Sequence, residues 1–300
     1  DEYNYGMSKR KGAYLPHVMA HPMQYVIDPR IIGTDDAQKA KDACKYDAVD
    51  LEMEEREVKF PAGAVIWATG WQPYDAAKIQ PYGYDRFDNV ITNVEFERMA
   101  DPKGPTGGRI VRKDGKEARN VAFIQCAGSR DRNHLYHCSR ICCMASLKQT
   151  HYVVDAYEDA KVTIYYIDIR AIDRFEDFYQ TVKDMDNVTF TKSKVANVIT
   201  DKEGNPICCG VDTEGYHRYE NTHDLVVLAT GMEPSVAKSD FPVDIVINRE
   251  GFIEPDAANG GVFAAGSASD ALDVNRAVQH ATGAALKAIQ VVNRVAGAEA

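Results

Sequence analysis

Apolar residues in this chain gather into a few unbroken runs set in long polar stretches. The run at 64–73 (AVIWATGWQP) has a counterpart at 225–234 (LVVLATGMEP), each reaching Ala-Thr-Gly with a proline three residues on. Uninterrupted apolar runs mark parallel strands buried on both faces, and a glycine at the carboxyl end lets the backbone turn sharply or pass close to a ligand. Two such strands predict two related α/β units. A third run, 121–124, feeds a glycine-bearing turn and then a helix. This is the geometry of a nucleotide-binding unit without its G-x-G-x-x-G fingerprint. A buried strand is predicted at 161–168, a short helix at 175–185, and a β-meander through 188–200, 207–213 and 217–221. Beyond residue 260 the pattern reads as strand, Gly-Ser turn, loop and a long helix. That helix starts near Asp273, with apolar positions at Val274, Ala277, Ala281, Ala285, Ile289 and Val292.

The amino-terminal part is less patterned. Residues 28–50 are polar and faintly helical, and Leu51, Met53, Val58 and Phe60 alternate with charges as in a short hairpin. Residues 101–120, rich in Gly, Pro and charge, read as a connection between domains, and their GPTGG follows no strand and opens no helix. No apolar run approaches the ~20 residues of a membrane span.

Length and charge narrow the classes. A chain of 300 residues holds two domains, or one with a large insertion. A net charge of −10 argues against a nucleic-acid groove, which needs a surplus of Lys and Arg on one face. Small molecules and other proteins are the expected partners. Seven cysteines, an odd number with two adjacent pairs and no signal peptide, do not form a secreted disulfide framework. A reducing cytoplasm is predicted. The triplet Lys9-Arg10-Lys11 reads as solvated, and His17 and His21 as structural.

Candidate chemistry concentrates at 121–150, where Cys126, Cys138, Cys142 and Cys143 follow a C-x11-C-x3-C-C pattern. Cys138 and Cys142 are expected one helical turn apart on one face, and Cys143 is rotated by about 100° from Cys142, which makes it the least secure ligand. A helix N-terminus would offset the negative charge of several thiolates. Residue types alone leave open an iron–sulfur cluster, a zinc site, a redox dithiol and plain core. Only Cys138 and Cys142 have zinc-type spacing, and C-x-x-C is absent. His134 and His137 read as solvated. Ser129, Arg130 and Asp131 would either hydrogen-bond cluster sulfurs or merely fix the loop. Cys44, Cys208 and Cys209 are expected to be structural, Cys44 buried and the other two on a meander strand with one side chain inward and one outward.

The order of an ATG strand, an inserted domain, a second ATG strand, GVFAAGS and an Ala-rich helix resembles the two-dinucleotide-binding-domain flavoproteins, of which thioredoxin reductase is the familiar member. QCAGSRD and CSRICCM resemble one branch, the flavoproteins similar to the A subunit of heterodisulfide reductase, which include the A subunit of the quinone-interacting membrane-bound oxidoreductase. The resemblance implies an α/β fold with parallel sheets and β-meanders. It implies FAD lying against Thr69, Gly70, Gly266 and Ser267, with Val274, Asn275 and Val278 beneath the ring. It also implies a [4Fe–4S] cluster on Cys126, Cys138, Cys142 and Cys143.

The implied organisation is a FAD domain in two parts, 1–117 and 233–300, around a pyridine-nucleotide-domain-like module at 118–232. The chain begins without Met and has no G-x-G-x-x-G, so the resemblance implies about a hundred further residues upstream, the first Rossmann unit. A ferredoxin-like insert of the family falls at 28–51, where only Cys44 remains of its ligands; no cluster is expected there. That loss favours the quinone-interacting branch. The implied activity is electron relay between a cytoplasmic sulfur-metabolism reductase, adenylylsulfate reductase, and a quinone-reactive membrane subunit, beside a homologous flavoprotein/iron–sulfur subunit. The implied location is cytoplasmic, with any attachment to the inner membrane made through partner subunits. Alternatives are a soluble heterodisulfide reductase-type subunit, a pyridine-nucleotide-dependent disulfide reductase, and a zinc-stapled assembly module.

Overall fold

The computed structural model describes residues 1–238, 245–254 and 260–298, so parts of the expected 233–300 segment lie outside the described residues. The chain divides into two units, 1–61 and 62–300.

The first unit is small and polar. It has a two-stranded antiparallel ribbon, β1 (Ala13–Tyr14) and β2 (Val26–Ile27), and one helix, α1 (Asp35–Asp42). Among its described residues Ala37 is the one buried apolar side chain. Order comes instead from Asp28, which accepts from Arg30 at 2.6 Å and Arg10 at 3.3 Å and is held well below the usual carboxylate range, chiefly by Arg30. The basic triplet is thus partly paired rather than simply solvated. Residues 51–60 form no hairpin; their apolar side chains have no facing strand, Leu51 being half-buried and Met53, Val58 and Phe60 exposed. Cys44 is half-buried, its sulfur accepting the Ala48 N–H at 3.4 Å, so the expectation of a buried apolar cysteine fails.

The second unit contains β3 (Val65–Trp67), β4 (Trp71–Pro73), β5 (Val90–Thr92), α2 (Asn93–Ala100), β6 (Asn120–Ala127), α3 (Cys142–Ala156), β7 (Lys161–Tyr166), α4 (Glu176–Lys183) and β8 (Val188–Lys192). It continues through β9 (Asn197–Thr200), β10 (Pro206–Asp212), β11 (His217–Thr222), β12 (Leu225–Thr230), β13 (Met232–Pro234), β14 (Val262–Ala264) and α5 (Val274–Ala298). Five strands form one parallel sheet in the order β5-β12-β6-β7-β8. Strands β12 and β6 run through its middle because their residues can be buried on both faces; every residue of β12 is buried. Helix α2 starts with a capping box, in which Thr92 Oγ1 accepts the Glu95 N–H and Glu95 Oε2 accepts the Thr92 N–H at 2.6 Å. Its Phe96 meets Phe123 of β6 edge to face at 5.6 Å. Truncating Phe123 to Ala would remove the centre of this contact, at about 3–5 kcal/mol.

The predicted meander is divided. Residues 188–192 join the parallel sheet, and the chain breaks before β9, β10 and β11 form a separate antiparallel sheet. Within β10, Cys208 points inward against Tyr82, Tyr165 and Tyr219, and Cys209 outward, as expected of a half-buried strand.

The two ATG segments meet directly. Each is followed by a short strand, and these strands, β4 and β13, pair with one another in antiparallel register. Beside them β14 pairs with β3 in parallel, and α5 packs on this pair. Contrary to expectation β3 is half exposed at Val65 and Ile66, since β14 is its one neighbour among the described residues. The buried stripe of α5 is also rotated from the predicted one: Ala284 and Ala288 are buried, whereas Val274, Ile289 and Val292 are exposed. Small alanines are the buried residues of this helix, while Val292, though exposed, lies beside Gly63. The fold is α/β, with parallel sheets and a β-meander, as the sequence predicts.

Candidate functional site

The four cysteines of 121–150 reach one place by three routes. Cys126 ends β6, where its left-handed φ of 55° and a register shift against β12 turn the side chain out of the ladder. Gly128, at φ 79°, then admits a tight loop; a Cβ there would lie 2.7 Å from Tyr74 Cδ1. The loop closes on itself through Leu135 N–H to Gly128 O at 2.8 Å and Arg130 N–H to His137 O at 3.1 Å. It is anchored to the sheet by Ser139, whose Oγ accepts the Met232 N–H at 2.7 Å and lies 2.8 Å from Ser129 Oγ. Cys138 sits on this loop and is not on a helix, so the expected single helical face is wrong. Arg140, at φ 67°, reverses the chain between Cys138 and the helix start. Cys142 and Cys143 then open α3, whose N-cap residue Ile141 supplies no side-chain cap. First-turn N–H groups and the positive helix end are therefore offered where the two thiols lie.

All four cysteines line one small cavity, together with Arg130, Arg140, Arg170 and Asp168. Arg130 is paired with Asp168 and shares the cavity wall with Cys126. The carboxylate partner of this arginine is Asp168, not the neighbouring Asp131. Asp131 faces away and pairs with Lys194 at 2.8 Å. His134 and His137 are half-buried and engaged elsewhere, by Tyr74 Oη at 2.9 Å and Met232 O at 2.8 Å, and neither lines the cavity.

Burial pushes the Cys126 and Cys142 thiols up, Cys142 well above its ordinary value, and mutual repulsion among the cysteines adds to both. Burial takes Cys143 up to about 11 against the opposing pull of the Arg170 backbone N–H. The Cys142 thiol donates to Thr230 O at 3.5 Å and that of Cys143 to Asp168 O at 3.8 Å. Thiols so placed stay protonated until cationic metal displaces the protons. Among the described residues no three His, Cys, Asp or Glu side chains are arranged around a single metal ion. Four thiols on one cavity are a donor set that could hold a metal centre, and the arginines and the α3 dipole would offset the negative charge of thiolates there.

A second constellation lies at the carboxyl ends of β3 and β14, where ligands of open parallel sheets bind. Thr69 and Gly70 follow β3, Gly266 and Ser267 follow β14, and the strands are in register through Ala264 and Trp67. Gly70 has φ 73° with nothing within 4 Å of an added Cβ, a backbone open to close approach. Gly266, at φ 61°, lies against Ala277 of α5 and donates its N–H to His280 Nδ1 at 3.3 Å. Val274, Asn275 and Val278 are exposed on the first turns of α5. Asp273 caps that helix, Oδ1 accepting the Arg276 N–H at 2.9 Å and its carbonyl the Ala277 N–H at 2.8 Å. An open glycine backbone, a capped helix N-terminus and exposed apolar side chains fit a flavin edge.

Sequence reasoning missed three contributors. Arg140 and Arg170 carried no signal, because Arg170 reaches the cavity only through the end of β7. A cavity of about 450 Å³ flanking α5, walled by Phe263, Arg276, His280 and Lys287, contains none of the predicted flavin residues; its i, i+4 and i+7 spacing of Arg276, His280 and Gly283 was the available clue.

No family model matches the chain. Over 96% of its length the chain is 38% identical to the A subunit of the ferredoxin/F(420)H(2)-dependent CoB-CoM heterodisulfide reductase of Methanosarcina acetivorans, of which it covers 38%. It is 35% identical to one of the CoB–CoM heterodisulfide reductase iron-sulfur A subunits of Methanopyrus kandleri, covering 96% of this chain and 46% of that one. To the A subunit of the H(2):CoB-CoM heterodisulfide,ferredoxin reductase of Methanothermobacter marburgensis it is 33% identical, over 95% of this chain and 45% of that one. The chain thus spans less than half the length of these relatives. Among solved structures, Lactococcus lactis thioredoxin reductase matches 77% of this chain and 66% of its own at 17% identity and a TM-score of 0.49.

Proposed function

We propose that this chain is part of an oxidoreductase subunit that carries electrons between FAD and a [4Fe–4S] cluster within a multi-subunit complex. The observation that carries the reading is the convergence of Cys126, Cys138, Cys142 and Cys143 on one arginine-walled cavity. When bound, FAD supplies two-electron and the cluster one-electron chemistry. The protein's part is positional. The four thiols would hold iron; Arg130, Arg140 and Arg170 would offset the cluster's charge; the burial of Cys142 and Cys143 would limit solvent. Thr69, Gly70, Gly266, Ser267, Val274, Asn275 and Val278 would seat the flavin at the ends of β3 and β14. No general acid, base or nucleophile is assigned.

The same reading takes 1–117 and 233–300 as the FAD domain and 118–232 as a pyridine-nucleotide-type module converted to hold the cluster. Its relatives' names place them in heterodisulfide reductases. The absence of ferredoxin-type cysteines at 28–51 supports the quinone-interacting branch instead. In that branch the partners are adenylylsulfate reductase, a homologous flavoprotein/iron–sulfur subunit, and a quinone-reactive membrane subunit. No helix among the described residues is long and apolar enough to cross a membrane; attachment at the inner membrane is assigned to the partners, with this chain on the cytoplasmic side.

Anaerobic reduction of the full-length protein, followed by absorbance and electron paramagnetic resonance, tests the reading. Bleaching of flavin with appearance of a cluster signal is expected, and Cys126→Ser should abolish the signal while sparing the flavin. Rapid reduction by NADPH with new thiols and no iron would establish a disulfide reductase instead.

A further inference from the structure

The two candidate centres are joined by one ion pair. Arg140 stands between two of the cysteines, its backbone N–H 3.4 Å from Cys138 Sγ and its side chain on the cavity wall. Its Nε donates at 2.6 Å to Oδ2 of Asp273, a residue 133 positions away that caps α5 at the flavin end. Both side chains are about one-quarter exposed. A charge in such a setting is screened less than one in open solvent. Ile141, next to Arg140, and Ala271, two residues before Asp273, belong to one apolar cluster with Met232 and Phe252.

We propose that the Arg140–Asp273 pair tunes the two redox centres together, with Arg140 a positioning residue for the cluster and Asp273 for the flavin. The proposal rests on the cofactor reading above. Reduction adds negative charge at either centre. The guanidinium favours that charge and the carboxylate opposes it, and because the two are bonded, each limits the other's reach. Neutralising Arg140 would leave a carboxylate uncompensated between the centres and make both harder to reduce. Neutralising Asp273 as Asn keeps the helix cap, frees the guanidinium, and makes both easier to reduce.

Redox titration of the full-length protein, read by flavin absorbance and by the paramagnetic signal of the cluster, tests this in wild type, Arg140→Gln, Asp273→Asn and the double variant. Each single variant should change the reduced-to-oxidised ratio at fixed potential by about tenfold, equal to about 59 mV for one electron, in opposite directions. The double variant should return towards wild type. Arg140→Lys, which keeps the charge, should move the ratio less than Arg140→Gln does and controls for loop damage. Shifts of the same sign in Arg140→Gln and Asp273→Asn, or none with iron retained, would reduce the pair to a structural clasp and overturn the inference alone. Wild-type protein without iron or flavin would overturn the cofactor reading and this inference together.

Discussion

The tripeptide Ala-Thr-Gly, which also occurs inside α5, closes the apolar runs of both β3 and β12 and does different work at each. At the end of β12, Thr230 is buried; its N–H and Oγ1 both donate to Asn93 Oδ1, at 3.2 and 2.9 Å, and its carbonyl accepts the Cys142 thiol. Gly231 is there for space, because a Cβ would stand 2.4 Å from Ser129 Oγ and 2.5 Å from Leu135 Cδ1. After β3, Thr69 is exposed, and Gly70 is there for its left-handed backbone with open space around it. One copy is a seat for the cysteine loop and the other a bare turn. Identical sequence thus acquires its role from what the chain packs against it, and the difference can be broken one residue at a time.

The largest expected effect is at Gly231. Gly231→Ala should push the cysteine loop off β12, costing about 3 kcal/mol and most of the bound iron. Gly70→Ala should cost only about 1–2 kcal/mol of backbone strain and leave iron in place. Denaturant melts with metal analysis of both variants make the comparison; equal iron loss would show that the two glycines are not distinct.

The pH response should likewise belong to the β12 side. His223, just before β12, is buried between Tyr165 Oη and Asn120 Oδ1, each 3.0 Å away, and desolvation brings its pKa down to about 4. The unfolded chain, with its histidine near 6.5, takes up the proton first as pH falls. Stability is therefore full above about pH 6.5 and is lost between there and pH 4, by up to about 3 kcal/mol. His223→Gln should flatten that limb of a stability–pH curve; an unchanged slope would assign it to other groups.

The smallest effect is expected at the threonines. Thr230→Val removes one of the two hydrogen bonds to Asn93 and should cost about 1–2 kcal/mol, against about 0.5 kcal/mol or less for exposed Thr69→Val. Thermal or denaturant melts that showed equal costs would remove the burial difference between the two turns.

Much of this was legible in the sequence, and what was not has identifiable causes. Continuous apolar runs located β12, β6 and β7, because a strand buried on both faces leaves no polar positions. The same rule overstated the burial of β3, whose covering depends on a neighbour rather than on its own residues. Periodicity found α5 but not its orientation, since Ala and Val count alike as apolar while the buried positions are Ala284 and Ala288. The cysteines were visible as a group. Their geometry was not, because Arg140 adopts a left-handed conformation that sequence does not encode and that takes Cys138 off the helix. The hairpin expected at 51–60 failed because alternation is necessary for a strand but supplies no partner.

The central claim is that Cys126, Cys138, Cys142 and Cys143 together hold one cluster. Iron and acid-labile sulfide per chain, measured on full-length protein prepared without oxygen, test it most directly, with Cys143→Ser beside the wild type. We expect about four of each in the wild type, beyond any contributed by segments outside this chain, and loss of that increment in the variant. Stoichiometric zinc, or iron that does not change when Cys143 is replaced, would contradict it.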